Sequence, residues 1–371
     1  MYYYDEFGKE FEDELSFHEY LEEIDERAKW IRVPSRSLSV LTVSGHEVLM
    51  PDIENVDMKD LLADTKKHSG LLLQFPEGMY PLGKTAVSTL KDRARIKGTA
   101  ALMDVKKTVL ADILNECLQV SKGEALLRIS EGKVRGVLSG DEADYAIISM
   151  PKLFMIASAY ISGDHNAEFS YAYADHNMAQ ITWKIIDEKL TKAYADLMAE
   201  HGKTPFGKLQ TFIRIVSSDV GASGANIFYS ILDGDYTIVL GEALRTKHRH
   251  KQGLEEFTEN MESIFQYYKQ KLKDIGKLCD IRIRYPVNTL SEVMKKQSFG
   301  KKLIAETVER FKVNFGEQPC SAYEIYCGLC EALFFARKNG SSPSSLVKME
   351  EKIARCMNVR WHDCDMPGEL S

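Results

Sequence analysis

LQTFIRIVS (Leu209–Ser217), ANIFYSIL (Ala225–Leu232) and YTIVLGEAL (Tyr236–Leu244) are three consecutive runs rich in β-branched and aromatic residues. That composition fits a pleated, half-buried surface. Asp233-Gly234 separates the last two, and a Gly that accepts positive φ makes this a strong hairpin signal. A long helical pattern, Gly253 to Asp274, follows. An antiparallel meander backed by a helix is therefore the centre from which the rest of the chain is read.

Upstream, Glu168–Ala174 and Gln180–Ile185 extend the strand series, and Asp187–Glu200 reads as a helix ended near Gly202. Ala125–Ser130 and Lys133–Leu138 predict a second hairpin across Glu131-Gly132. Leu71–Phe75 predicts a buried strand, with helices over Val56–His68, Thr85–Lys97, Thr108–Val120 and Pro151–Ile161. Ser37–Val43 and His46–Met50 read as short strands around Ser44-Gly45. Glu10–Trp30 carries a helical stripe stopped by Pro34. Downstream the pattern is helical: Thr289–Gln297, Lys301–Phe315, Ser321–Asn339 and Pro343–Met357, separated by Gly316, Gly340 and Ser341-Ser342-Pro343. The expected class is α+β, a mixed or antiparallel sheet core with packed helices and an all-α C-terminal region. The expected units are an acidic N-terminal helix or arm at 1–30, an α+β region at 31–161, the antiparallel sheet plus long helix at 162–275, and the helical region at 276–371.

Charge is unevenly distributed. The chain has 371 residues and a net charge of −7, yet its first thirty residues hold eleven acids against three bases, a charge of −8. The remaining 341 residues therefore sum to +1 and have room for local basic patches. The composition, 44% hydrophobic and 28% charged, belongs to a folded chain. No apolar run approaches the roughly 20 residues of a membrane span. The start, Met-Tyr-Tyr-Tyr-Asp-Glu, has neither the basic nor the apolar part of a signal peptide. Seven irregularly spaced cysteines give no disulfide framework. These features predict a cytoplasmic protein with reduced thiols and no membrane partner.

Several stretches have residue types that carry chemistry. Gly78-Met79-Tyr80-Pro81-Leu82-Gly83-Lys84-Thr85 fits the phosphate-loop pattern between a strand and a helix. In that reading Gly78 and Gly83 shape the loop, Lys84 meets the terminal phosphates and Thr85 the magnesium. Against it, Pro81 removes an amide that should face phosphate, and no apolar run ending in Asp follows at a sensible distance. The competing reading is a helix start capped by its preceding loop. Ser217-Ser218-Asp219-Val220-Gly221-Ala222-Ser223-Gly224 is a Gly/Ser loop whose Ser218, Asp219, Gly221 and Ser223 stand where amides could bind an anion, or it is an ordinary loop. Arg245-Thr246-Lys247-His248-Arg249-His250-Lys251 has two histidines at strand spacing, but this density of positive charge suits an anionic partner better than a metal, or it is a solvated strand end. Asp164-His165-Asn166 and Asp175-His176-Asn177 read as turn residues at two strand ends. Cys327-Gly328-Leu329-Cys330 lies within a predicted helix, where buried thiols fit better than a zinc knuckle. No metal or cofactor is expected, and no Gly-x-Ser-x-Gly nucleophile is present.

The middle of the chain resembles a known family. Arg135-Gly136-Val137-Leu138-Ser139, then Asp144-Tyr145-Ala146-Ile147-Ile148, then Ser218-Asp219-Val220-Gly221-Ala222-Ser223, then Arg245 to His250, occur in its order and spacing. It is the group of phage- and plasmid-borne proteins gathered as the domain of unknown function numbered nine-three-two. The resemblance spans about Val33 to Asp274, and the C-terminal region is compatible. It departs at Leu232-Asp233-Gly234, where many members show Cys-Asn-Gly. It implies a mobile genetic element as context and no established chemistry, and under it Leu82–Ile96 is an ordinary family helix.

The function expected from these readings is binding rather than catalysis: an accessory factor in phage or plasmid DNA replication or recombination. Single-stranded DNA or another nucleic acid would be the partner, and the protein a possible homo-oligomer. Basic residues gather at Lys91, Arg93, Arg95 and Lys97, at Arg245 to Lys251, and at Lys295, Lys296, Lys301 and Lys302. Sharing a face, they would neutralise phosphates. At the level of fold alone, three strands plus a long helix resemble the β-β-β-α core of single-strand annealing proteins. The alternatives are a nucleotide-binding phosphate-loop enzyme and a non-catalytic structural or assembly protein. The acidic segment would either fold over the basic stretch as a nucleic-acid mimic or serve assembly.

Overall fold

Asp233-Gly234 turns the chain as its composition requires. Gly234 has φ +60°, and Asp233 pairs with Tyr236 across a two-residue hairpin loop. The computed structural model describes residues 2–44, 56–97, 100–164, 166–248 and 253–368. In chain order its elements are β1 (Gly8–Phe11), α1 (Glu14–Arg27), β2 (Lys29–Pro34), β3 (Ser39–Thr42), α2 (Met58–Lys67), β4 (Leu71–Phe75), β5 (Gly78–Pro81), α3 (Lys84–Arg93), α4 (Ala100–Asp104), α5 (Lys107–Gln119), β6 (Glu124–Ser130) and β7 (Lys133–Ser139). These are followed by α6 (Met150–Asp164), β8 (Ala167–Asp175), β9 (Ala179–Ile185), α7 (Glu188–Glu200), β10 (Leu209–Ser217), β11 (Ala225–Asp233), β12 (Tyr236–Val239), β13 (Leu244–Thr246) and α8 (Gly253–Asp280). The chain closes with β14 (Arg282–Ile283), α9 (Pro286–Lys296), α10 (Lys301–Phe315), β15 (Cys320–Ser321), α11 (Ala322–Lys338) and α12 (Pro343–Cys356). The fold is α+β, with 49% helix, 24% strand and antiparallel sheets.

The seven-stranded sheet runs β1-β8-β9-β10-β11-β12, with β13 also on β11. Period-two alternation divides its side chains. Thr211, Ile213 and Ile215 of β10, with Trp183 of β9, enter the main core, while Phe212, Arg214 and Val216 point to the second face. Against the core face lies α8. Its buried Phe257, Met261, Ile264, Tyr268, Leu272 and Ile275 recur at three- and four-residue steps. The Tyr268 hydroxyl donates to the Ile227 carbonyl at 3.1 Å. The C-terminal helices share this core rather than making their own: Ile325, Tyr326 and Ile353 are buried in it, and the Tyr326 hydroxyl reaches the Val239 carbonyl at 2.8 Å.

Two smaller sheets, β2-β6-β7 and β3-β4-β5, hold a second core with α3 and α5, including Leu73, Leu90, Leu114, Leu127 and Val137. The β6–β7 hairpin turns at Glu131 and Gly132, with φ of 52° and 76°.

Four expectations are corrected. The acidic N-terminal segment is not a separate arm: β1 pairs with β8, and Phe17, Tyr20 and Leu21 of α1 enter the main core. Its helix begins at Glu14 rather than Glu10, because the Asp13 carboxylate caps it by accepting from the Ser16 N–H at 2.8 Å. The run Tyr236–Leu244 is two strands, not one, broken before Leu244 at Gly241 with φ +77°. Trp30 to Pro34, read as a helix end and its stop, belongs to β2. The strand expected at His46–Met50 lies outside the described residues.

Candidate functional site

The Gly/Ser loop and the basic stretch, far apart in sequence, line the same cleft. Its walls are Ala222, Ser223 and Gly224 of the loop, Asn226 of β11, Arg245, Thr246 and Lys247 around β13, and Ser344, Val347, Lys348 and Glu351 of α12, around about 260 Å³. Register builds one wall: Arg245 pairs with Asn226, so both side chains stand on the second face of the sheet. Helical spacing builds the other, since Ser344, Val347, Lys348 and Glu351 are three or four residues apart. Val347 anchors α12 through a small apolar cluster with Met178, Val216 and Phe228.

Charge in the cleft is only partly offset. Glu351 accepts from Asn226 Nδ2 at 3.2 Å and lies 3.4 Å from the Arg245 guanidinium. Lys247 and Lys348 are exposed and have no acidic partner among the described residues. Three cations thus face one carboxylate. Deeper on the same face, Arg214 is paired with Glu350 of α12 and lies over the Phe228 ring, 5.0 Å from its centroid. Beside it, Tyr171 of β8 and Phe212 of β10 stand half-buried on the second face.

The other predicted residues have different surroundings. Ser218 is fully buried, and its hydroxyl accepts from the N–H groups of Val220 and Ala222, at 3.3 and 3.0 Å. Those amides are spent inside the loop. Asp219 pairs with Arg128 of β6 at 2.5 Å, and its carbonyl accepts from the Tyr145 hydroxyl at 2.8 Å. At Gly221 (φ +76°) an added Cβ would meet Leu138 Cδ2 at 3.0 Å. The first half of the loop is therefore a joint onto the β6–β7 hairpin, and only its Ala222–Gly224 end faces the cleft. His248 is not displayed on a strand face. It is buried and stacked on Tyr145, 5.4 Å between ring centroids and 11° between planes. Burial holds its imidazole below the usual range, so it adds no charge at neutral pH. Arg249, His250 and Lys251 lie outside the described residues.

Arg93 does not join the cleft either. Its guanidinium donates to the carbonyls of Lys122 and Glu124, at 2.6 and 3.2 Å. Arg95, two residues past the end of α3, is in the left-handed region, φ 60°. The third basic group is bonded within the C-terminal helical region: Lys295 to Glu292, Lys296 to the Cys364 sulfur, and Lys302 to Asn339.

The phosphate-loop geometry is absent. Gly78 to Pro81 is β5, paired with β4 from Phe75↔Gly78 to Leu72↔Pro81, so the stretch runs straight rather than curling around an anion. The Gly83 N–H donates to the Val134 carbonyl at 2.9 Å, and the Thr85 hydroxyl to the Arg135 carbonyl at 3.0 Å. The Lys84 N–H, at the start of α3, donates to the Asp5 carboxylate at 2.9 Å. The helix start is capped from 79 residues away, not by the loop before it.

Asp175 makes a turn, accepting from the N–H groups of Asn177 and Met178 at 2.7 and 3.0 Å. Cys327 and Cys330 are buried in α11. Burial pushes the Cys330 thiol up to about 12, which keeps it protonated, whereas a metal would need the thiolate. Among the described residues no three His, Cys, Asp or Glu side chains are placed to hold a metal. Nor is any described helix long and apolar enough to cross a membrane.

Lys348, Ser344, Glu351 and Arg214 escaped sequence reading. Surface charge is legible in sequence as runs, and these residues lie outside the basic runs. The amphipathic period of Pro343–Met357 was visible, but not which surface it would meet. No family model, curated protein or solved structure matches the chain, so the family resemblance is carried by the quoted residues alone.

Proposed function

We propose that this chain binds single-stranded nucleic acid along the second face of its seven-stranded sheet, as an accessory factor of a phage- or plasmid-type element, and carries out no chemistry there. The observation that carries the reading is the cleft itself. Two stretches picked out independently in the sequence meet there, and α12 adds a third cation. Arg245, Lys247 and Lys348 would meet successive phosphates. Exposed lysines with no acidic partner among the described residues gain most from such contacts, because their counterions are released on binding. Phe212 and Tyr171, farther along the same face, offer rings for bases. The cleft is smaller than the roughly 300–1,000 Å³ of a small-molecule pocket, which favours a backbone laid across it over an enclosed cofactor. A single strand also supplies unstacked bases for the rings, which a duplex does not.

The test is fluorescence anisotropy with a labelled single-stranded oligonucleotide and its duplex. The single strand is expected to bind, and Arg245→Ala/Lys247→Ala/Lys348→Ala to weaken binding at least tenfold with an unchanged melting temperature. No binding to either form would end this reading and leave the structural or assembly role.

A further inference from the structure

On the far side of the β6–β7 hairpin, a different set of cations is fully enclosed. Lys133 and Arg135 are two residues apart on β7, with side chains 0% and 1% exposed. Two buried like charges this close require an anion. Asp64 of α2 serves Lys133 at 2.5 Å. The second anion comes from outside the unit. Asp5 Oδ1 lies 2.6 Å from Arg135 Nη1 and 3.3 Å from Lys133 Nζ, while Oδ2 accepts the first N–H of α3. Arg135 Nη2 donates to the Tyr3 carbonyl at 3.0 Å, and Arg135 Nε is buried without a partner among the described residues. Gly83 permits this closeness, since a Cβ there would lie 3.2 Å from Arg135 Nη1.

Strand cations and a helix start thus converge on one carboxylate from three directions, an arrangement suited to a tetrahedral oxyanion. The occupant precedes β1 and is part of no described strand or helix. It is tethered by hydrogen bonds from Asp5 N–H to Asp64 (3.0 Å) and between His176 and the Tyr4 carbonyl (2.8 Å). Without it the pocket holds two cations, one carboxylate and the positive end of a helix, a net positive charge.

We infer that Lys133, Arg135 and the N-terminus of α3 form a phosphate-class anion site that Asp5 fills as an internal substitute. Free inorganic phosphate and the 5′-terminal phosphate of a strand share the required chemistry. This site is separate from the cleft and stands whether or not the cleft binds nucleic acid.

The experiment uses full-length Asp5→Ala and Asp5→Asn, the second keeping the side chain's shape. Melting temperature is followed in chloride, in inorganic phosphate at matched ionic strength, and with 5′-phosphorylated or 5′-hydroxyl oligonucleotide. Both variants should melt lower than wild type in chloride and regain stability saturably in phosphate. Wild type should barely respond, and adding Arg135→Met should abolish the gain. A gain with inorganic phosphate assigns a free ion; a gain at lower concentration with the 5′-phosphorylated strand alone assigns a strand end. If Asp5→Ala does not fold in chloride, recovery of its circular dichroism in phosphate supports the site. An equal deficit in every anion, or equal rescue of the Arg135→Met double variant, overturns it.

Discussion

Lys133 and Arg135 on β7, and Arg245, Lys247 and Lys348 around the cleft, are cationic groups in opposite circumstances. The first pair is enclosed and answered by Asp5, Asp64 and the Tyr3 carbonyl. Burial lowers the Arg135 guanidinium to about 10, which still leaves it charged at neutral pH. The second group is exposed and shares one carboxylate, Glu351. Charge inside a fold must be balanced by the fold, whereas charge on its surface need not be. Sequence alone ranks them the wrong way round: Arg245 to Lys251 stands out as a run, while Lys133 and Arg135 are two strand residues like any others. Density of charge marks a surface. Isolated charge in an apolar strand marks a partner elsewhere in the chain.

The largest effect is expected at the enclosed pair. Asp5→Ala leaves two buried cations with one carboxylate and removes the cap of α3, so it should cost about 3–5 kcal/mol in chloride, read from urea midpoints. A cost below about 1 kcal/mol would mean the enclosed pair does not depend on Asp5.

Acid should act on the same place. Burial opposes ionisation of Asp64, but the Lys133 ammonium and the Asp5 N–H hold its carboxyl below the usual range. A depressed carboxylate stabilises the fold above its unfolded value, about 3.9, and that stability is lost as pH falls through the lower folded value. Urea midpoints of wild type should therefore drop from about pH 4 downward, and Asp64→Asn, less stable at neutral pH, should show a shallower drop. Equal slopes would contradict the pairing.

A smaller effect separates the anchored part of α12 from its cleft-facing part. Glu350 is buried against Arg214, so Glu350→Ala should cost about 2–3 kcal/mol. Lys348, two residues earlier and exposed, should cost less than about 0.5 kcal/mol as alanine. Thermal unfolding of the two variants side by side decides this.

How much was legible follows the range of the contacts. The hairpin turns at Glu131-Gly132 and Asp233-Gly234 and the start of the periodic α8 are local and fall where expected, although α8 runs six residues past Asp274, to Asp280. Gly78 to Pro81 misled because Gly and Pro read as loop. Pro81 is tolerated at the end of an edge strand, where the ladder asks little of its missing N–H. The acidic segment misled because its apparent stripe of Leu15, Leu21, Ile24 and Ala28 is not the buried face: Leu15 is exposed, while Phe17 and Tyr20 go in beside Leu21, and β1 precedes the helix. In the cleft, Ser223, Arg245 and Lys247 were named beforehand. Lys348 and Glu351 were not, because only the path of α12 brings them there.

The salt dependence of single-stranded DNA binding tests the proposal that the cleft's partly offset cations meet phosphates. Three phosphate contacts predict a slope of about −2 for log K against log salt. That slope is expected for wild type, with its loss in Arg245→Ala/Lys247→Ala/Lys348→Ala and its persistence in Lys295→Ala/Lys296→Ala, whose lysines are bonded to Glu292 and Cys364. An equal slope in the cleft variant and wild type, or no salt-sensitive binding at all, would contradict it.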